Sequence, residues 1–223
     1  MDTFLYLFYS AAYLFLLIWG LKGISSNELK KWSSFVYFII IALIYDNLIL
    51  GIGKWIGEGD TLETLNYGRY WTHAFLTPLL TLYSVGVLRE SGIEWTRKKW
   101  VSVVAILYTV GLIILELATE VVGLTLKAEE KFGVLSYVST EEASGPPIMV
   151  LFVTAVLLAA GIILWVKTKW PVFFIGAFFM TIGSAVPMDF IDSGAITNAF
   201  ELILLTSLVW TKRKLVKNEI WVK

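Results

Sequence analysis

The sequence predicts an all-α membrane protein with seven transmembrane helices, on the evidence of its hydropathy and of the charges in its loops. Of its 223 residues, 57% are hydrophobic, and the mean hydropathy of +0.74 exceeds what is typical of soluble domains. A helix of roughly 20 apolar residues crosses about 30 Å of hydrocarbon. Seven apolar runs have about that length, at 3–21, 33–53, 69–88, 100–123, 147–166, 170–188 and 195–211.

The first run is predicted to be a membrane helix and not a cleaved signal peptide, because the chain starts with Asp2 in place of a basic segment. The last two runs form a helical hairpin, since only a short polar segment around Pro187 and Asp192 separates them. No repeat or second domain is evident, so residues 1–223 are predicted to form one transmembrane domain. Its one sizeable loop is 127–146.

The charges of successive loops alternate in sign. Basic residues follow spans 1, 3, 5 and 7: Lys22, Lys30, Lys31, Arg89, Arg97, Lys98, Lys99, Lys167, Lys169, Lys212, Arg213, Lys214, Lys217 and Lys223. The other loops are mostly acidic. Positively charged loops stay in the cytoplasm, which places the N-terminus outside and the C-terminus inside, in what we expect to be a prokaryotic plasma membrane. The alternative interpretation is that these loop charges serve only membrane insertion and contact with anionic lipids.

Composition excludes several classes of function. The formal net charge is zero, so a nucleic-acid partner is not expected. The chain has no cysteine and a single histidine, His73, whereas zinc sites draw on several such residues. No metal site is therefore predicted. Membrane lipids are the expected partners, and the oligomeric state is left open.

Ionisable groups inside the spans are few, and each one marks a candidate functional site because its insertion costs at least roughly 2.5 kcal/mol. With the amide of Asn47, the polar groups within the spans are Asp46, Asn47, Arg69, His73, Glu116, Glu120 and Glu201. Most of them fall in the outer half of the predicted membrane. Residues four apart share a helix face, which joins Arg69 to His73. We expect Arg69 to pair with Asp46, Glu116 or Asp189. The alternative is a polar network that only fixes helix packing.

Two of the predicted spans resemble helices of the microbial (type I) rhodopsins. Span 3 is similar to that family's Arg-Tyr-x-Asp-Trp-x-x-x-Thr-Pro-Leu-Leu, through Arg69, Tyr70, Thr77, Pro78, Leu79 and Leu80. In span 6, the segment from Gly183 to Phe190 resembles Trp-Ser-Ala-Tyr-Pro-x-x-Trp. The resemblance implies a rhodopsin-like seven-helix bundle, whose topology also has the N-terminus outside.

The departures from that family decide what the chain can bind. The proton-acceptor aspartate falls on Thr72, the tryptophan after it on His73, and other pocket aromatics on Gly183, Val186 and Phe190. No lysine lies between 169 and 212, and a retinal Schiff base needs a lysine amine, so covalent retinal is excluded. The smaller residues either enlarge a central pocket, which would suit a non-covalent lipid or isoprenoid, or are compensated by a repacked core.

The first hypothesis is a non-photochemical relative that binds or senses an apolar ligand, a lipid or a proton at an outward-facing polar site. Its candidate residues are Asp46, Asn47, Arg69, Thr72, His73, Thr77, Glu116, Asp189 and Glu201. One alternative is a lipid-modifying enzyme, with His73, Asp46 and Glu116 as the candidate catalytic groups. The other is a proton-coupled transporter, although the inner halves of spans 2–4 offer few titratable groups.

Overall fold

The computed structural model describes residues 2–141, 147–185 and 193–221, and these are mostly helical. The helices are α1 (Asp2–Leu21), α2 (Ser26–Leu29), α3 (Val36–Ile56), α4 (Asp60–Leu76), α5 (Leu79–Glu90), α6 (Lys99–Glu116), α7 (Ile148–Thr168), α8 (Val172–Ala185) and α9 (Ile196–Val216). Short 3₁₀ turns at Trp32–Phe35 and Glu94–Arg97 precede α3 and α6.

Five helical segments are long and apolar enough to cross a membrane: Asp2–Leu21, Trp32–Ile56, Asp60–Glu90, Lys99–Val121 and Ile148–Thr168. They coincide with the first five predicted spans. Helix α8 is apolar but shorter within the described residues, and α9 carries Glu201, Lys212 and Arg213. Large side chains such as Phe4, Phe15 and Leu107 are exposed on the outer surface. A mostly helical protein compatible with a membrane is therefore observed.

The third predicted span is longer than expected and is broken. Its helix begins at Asp60, nine residues before the predicted start, and Asp60 and Glu63 in its first turn complement the helix dipole. The helix is interrupted at Thr77 and Pro78 before α5 begins at Leu79, because proline lacks the backbone N–H that continues a helix. The fourth span ends in a π-helical turn, Leu117–Val121.

The predicted loop at 127–146 contains a β-hairpin that the hydropathy pattern did not indicate. Strands β1 (Leu126–Lys131) and β2 (Val134–Ser139) pair antiparallel. Phe132 and Gly133 join them with positive φ angles of 51° and 82°, as in tight hairpin turns. Strand β2 packs on α3 and α4, and the turn contacts α1, where the Thr3 hydroxyl donates to the Gly133 carbonyl at 2.7 Å.

The connections gather at two ends of the protein, which we call the acidic end and the basic end. At the acidic end, the Gly194 N–H donates to the Asp2 carboxylate at 2.7 Å, beside the hairpin. At the basic end, the connections after α1 and α5 meet α9, whose Lys212 contacts Glu28 and Glu90. Acidic and basic connections thus separate in space as the sequence alternation predicts.

Helix α6 lies at the edge of the packing. Helix α1 packs on α3 and α9, α7 and α9 flank α8, and α5 contacts α3, α7 and α9. The interior is filled by side chains such as Tyr13, Tyr83, Phe173 and Leu208, which are fully buried. Only 17% of the most apolar stretch of α6 is buried, the smallest share among the five membrane-length segments. Helix α6 is therefore the one that neighbouring helices hold least.

We expect Gly53→Ala to destabilise the protein, because a Cβ at Gly53 would lie 2.0 Å from the carbonyl oxygen of Leu135 in the hairpin. Overpacking of this kind costs about 1–3 kcal/mol, and thermal unfolding in detergent should show a lower melting temperature. Gly111→Ala is the matched control in α6, where a Cβ meets nothing within 4 Å. That change should be neutral or stabilise by about 0.5–1 kcal/mol. Equal melting temperatures for both variants would contradict the contact.

Candidate functional site

Arg69 of α4 is held by partners on its own helix and on α3. Its Nε donates to Oδ1 of Asp46 at 2.7 Å, and its Nη1 donates to Oδ1 of Asn66 at 2.7 Å. Asn66 is fully buried and donates to the Leu62 carbonyl. Of the three carboxylates considered for Arg69, the structure pairs it with Asp46. Asp189 lies outside the described residues.

A second carboxylate approaches this ion pair from α9. Glu201 is half-buried and lies within electrostatic range of Asp46. The phenol of Tyr6, from α1, interacts electrostatically with Asp46, Arg69 and Glu201. Helices α1, α3, α4 and α9 therefore converge on one guanidinium with two nearby acids.

The His73 imidazole lies one helical turn from Arg69 and joins α4 to α6. Its Nε2 is 3.6 Å from Oε1 of Glu116, and its Nδ1 is 3.2 Å from the Thr77 hydroxyl. The His73 side chain is 47% exposed, whereas that of Glu116 is 11% exposed. The imidazole therefore lies at the rim between the two helices, where a buried acid meets an accessible base.

Both helices that carry this contact have irregular backbone at the same level. Helix α4 ends at Leu76, directly before the break at Thr77 and Pro78, and the π-helical turn of Leu117–Val121 directly follows Glu116. Proline breaks and π-helical turns mark bends in helices, and π-turns are frequent at functional sites. The His73–Glu116 contact thus connects two bends.

Two predicted site residues do not join these contacts. Asn47 accepts a hydrogen bond from Asn198 and donates to the Leu43 carbonyl at 2.9 Å. The Thr72 hydroxyl donates to the carbonyls of Gly68 and Arg69 in its own helix. Asn47 therefore ties α3 to α9, and Thr72 is occupied by local backbone.

Asn66 and Asn198 are polar residues of the site that sequence reasoning missed. Asn66 is three residues before Arg69 in the chain, and side chains at that spacing meet on a helix. The spacing alone could therefore have predicted that Asn66 contacts Arg69. Asn198 is 151 positions from Asn47. Nothing in the sequence could indicate that pairing before the packing of α3 on α9 was known.

The space beside Gly183, where the resemblance implies a pocket aromatic, is filled. A Cβ at Gly183 would lie 2.4 Å from Cγ of Phe200, so the Phe200 ring occupies the space beside this glycine. Val186 and Phe190 lie outside the described residues. A cavity of about 490 Å³ is present elsewhere, in an apolar groove between α8 and α9 near Gly176 and Trp210. No open space is therefore left directly beside Gly183.

The basic end holds a lysine cluster that the sequence analysis did not identify. Lys212, assigned there to a basic tail at the membrane edge, has a fully buried side chain. Its Nζ donates to Oε2 of Glu28 at 3.1 Å, to Oε2 of Glu90 at 3.0 Å and to the Ser33 hydroxyl at 2.7 Å. A buried charge is tolerated when partners compensate it in this way. We define the lysine cluster as Lys212, Glu28, Glu90, Ser33 and Lys31, which bonds to Glu28.

Glu28 stays ionised in this cluster. Partial burial acts to raise the pKa of its carboxyl, but hydrogen bonds from Lys31 and Lys212 and the charges of both lysines outweigh burial and lower the pKa below its usual value. The cluster therefore contains two ammonium groups close to two carboxylates and ties α9 to α5 and to the connection between α1 and α3.

Within residues 2–141, 147–185 and 193–221, no three side chains of the metal-ligating type converge. Comparison of the chain with known protein families, curated proteins and solved structures finds no match. What fold and site establish together is a helical protein compatible with a membrane. It holds an ion pair and an imidazole–carboxylate contact near its acidic end and a buried lysine at its basic end.

Arg69→Gln should destabilise the protein by about 1–3 kcal/mol, because it leaves the Asp46 carboxylate without its charged partner. The double variant Arg69→Gln, Asp46→Asn should lose less than the sum of the two single changes, as expected for residues in direct contact. Thermal unfolding of the four proteins in one detergent measures this coupling. Strictly additive losses would contradict an energetic role for the pair.

Proposed function

We propose that this chain is a multi-pass membrane protein with seven transmembrane helices, its N-terminus outside and its C-terminus in the cytoplasm. We further propose that it is a distant relative of the microbial rhodopsins without retinal, and that it senses protons at the polar site near its acidic end. The motifs around Arg69 and Gly183, the order of the helices and the separation of loop charges support the topology and the relationship. We expect no retinal Schiff base, because no lysine lies between Lys169 and Lys212 and Lys212 is engaged by two glutamates at the basic end.

The observation that carries proton sensing is the His73–Glu116 contact between two irregular helices. Imidazole is the side chain that ordinarily changes charge near neutral pH. A protonated His73 has an N–H at both nitrogens, so Nε2 attracts the Glu116 carboxylate while Nδ1 donates to Thr77. A neutral His73 loses the charge that draws Glu116 towards α4.

The rest of the site favours a local response of α6. The Asp46–Arg69–Asn66 contacts hold α4 to α3 and do not include His73. Helix α6 has the least buried surface of the membrane-length segments, so a small change in attraction at Glu116 has little packing to oppose it. Protonation of His73 would then move α6 relative to α4, while α3 and α4 stay together.

A proton suits this site better than an apolar ligand. Phe200 fills the space beside Gly183, and the apolar groove between α8 and α9 is lined by neither His73 nor Arg69. A bound lipid or isoprenoid tail would therefore occupy a different surface from the ionisable groups. Transport through a relay of Asp46, Glu116 and Glu201 is less well supported, because fully buried Tyr83 and Leu208 fill the interior towards the basic end.

We expect the distance between α4 and α6 to depend on pH. The chain has no cysteine, so Thr61→Cys with Thr119→Cys gives two spin labels, one on each helix. Between pH 8 and pH 5 the mean distance should shorten by an amount on the order of 1–2 Å, the size of helix shifts in switching proteins, because the imidazolium attracts Glu116. Pulsed electron–electron double resonance on the protein in nanodiscs measures this distance.

Two glutamates of the same helical segment provide a test variant and its matched control. His73→Gln and Glu116→Gln should each abolish the pH response, whereas Glu120→Gln should retain it, because only Glu116 contacts His73. A response that persists in His73→Gln would assign the sensing to another group and overturn the proposal.

A second candidate function is favoured by the order of groups around His73. The Thr77 hydroxyl, the His73 ring and the Glu116 carboxylate follow one another at 3.2 and 3.6 Å, as a nucleophile, a base and an orienting acid do in hydrolases. Arg69, one turn away, could steady an anionic lipid headgroup. This arrangement would make the protein a lipid-modifying enzyme of the membrane.

The enzyme hypothesis predicts that His73→Ala and Thr77→Val each lower lipid turnover by at least about 100-fold, the scale of one general-base contribution. Product analysis by mass spectrometry, after incubation with ester lipids of several headgroups, measures the turnover. Thr72→Val is the control, since its hydroxyl bonds only to its own helix. Unchanged turnover of every lipid in His73→Ala would rule out this function.

A further inference from the structure

The basic end contains a cavity of about 600 Å³ between the segment that follows α2, the end of α5 and the end of α9. This volume lies in the range of small-molecule sites. Charged and apolar side chains both line it, and its wall includes the two carboxylates of the lysine cluster, Glu28 and Glu90. The charges available to a ligand are those that remain after these internal ion pairs are made.

The cavity has an excess of positive charge. Lys30, Lys31, Arg89 and Arg97 line it, and buried Lys212 stands behind it in contact with Glu28 and Glu90. Five cations thus surround two carboxylates, and Lys212 with Lys31 neutralises both. Lys30, Arg89 and Arg97 form no ion pair within the part of the chain that the structure describes.

Arg89 is positioned before any ligand arrives. Its Nε and Nη2 donate to the Thr96 carbonyl at 3.1 and 2.8 Å, and Nη2 also donates to the Ser102 hydroxyl at 2.9 Å. Its guanidinium carbon lies 4.7 Å from the centre of the Trp32 ring, within range of a cation–π interaction. Nη1 makes no hydrogen bond to the described residues, so a fixed donor group is left over.

The remaining wall of the cavity is apolar. Leu215, Val216 and Trp221 contribute from α9 and the segment after it, and Trp32 contributes from the other side. A fully solvated inorganic anion would gain nothing from these side chains. A molecule with a charged phosphate and an apolar portion would contact both parts of the lining.

We propose that this cavity binds the phosphate headgroup of an anionic phospholipid, with Arg89, Arg97 and Lys30 as its ligands and Trp32, Leu215 and Trp221 against the glycerol and first methylenes. Charge-assisted hydrogen bonds from arginine suit phosphate oxygens, and basic pockets between membrane helices are suited to anionic headgroups. Under the proposed topology, the lipid comes from the cytoplasmic leaflet. The site is separate from His73 and does not depend on proton sensing.

Titration of the full chain in detergent with dioleoyl phosphatidic acid, read by native mass spectrometry, tests this site. The wild-type protein should retain the lipid more tightly than dioleoyl phosphatidylcholine. Lys30→Gln with Arg97→Gln should weaken retention of phosphatidic acid roughly tenfold, since each change removes one charge-assisted contact. Both side chains are exposed and form no ion pair in the described structure, so the helices should keep their thermal stability.

Lys98→Gln with Lys99→Gln is the matched control, because it removes the same charge from neighbouring exposed residues that do not line the cavity. Retention should stay at the wild-type level. If both double variants weaken retention equally, the lipid is attracted by the charged surface as a whole, which would overturn the site. Equal retention of phosphatidic acid and phosphatidylcholine by the wild-type protein would also overturn it.

A competition arm distinguishes a lipid from a soluble phosphate. Glycerol 3-phosphate at millimolar concentration should displace little phosphatidic acid, because it lacks the acyl chains that contact the apolar wall. Complete displacement, lost in the Lys30→Gln, Arg97→Gln variant, would support the phosphate ligands but assign the cavity to a soluble phosphate ester. That result would overturn the proposal that the ligand is a lipid.

Discussion

The structure depends on one constraint: a charge inside an apolar helical protein needs an opposite charge within hydrogen-bonding distance. Burying an unpaired ion costs several kcal/mol, and a paired ion costs much less. Arg69 meets this requirement with Asp46, and Lys212 meets it with Glu28 and Glu90. Each pairing joins helices that are distant in the chain, so the charges also determine which helices lie next to each other.

The two charged regions hold their helices with different strength. At the basic end, Lys212 makes three hydrogen bonds and ties α9 to the end of α5 and to the connection between α1 and α3. Near the acidic end, Arg69 holds α4 on α3, but α6 meets the site through the 3.6 Å approach of His73 and Glu116. The contact that depends on a titrating group therefore falls on the helix with the least buried surface. This combination, more than any one residue, supports a sensing role.

Gly183 is one of the positions at which the chain departs from the rhodopsin pattern that its sequence resembles, and the structure describes the surroundings of this glycine. A retinal pocket needs a lysine and a ring of aromatic side chains, and this chain lacks the lysine and has Gly183 at one aromatic position. Phe200 of α9 fills the space beside Gly183, on the helix where the lysine would be expected. Phe200 thus occupies the space that this small residue leaves on α8, as a core that has to stay closely packed requires.

The sequence by itself determined the helical class, most helix positions, the separation of charge between two ends and the presence of Arg69 and His73 on one helix face. These are local properties, set by runs of apolar residues and by spacings of three or four positions. Only the tertiary structure decided that Arg69 pairs with Asp46, that Asn47 meets Asn198, that the turn of a hairpin bonds to α1, and that Lys212 is buried between two glutamates. Those contacts join residues 23 to 184 positions apart, and such pairings follow from how helices pack, which no local pattern encodes.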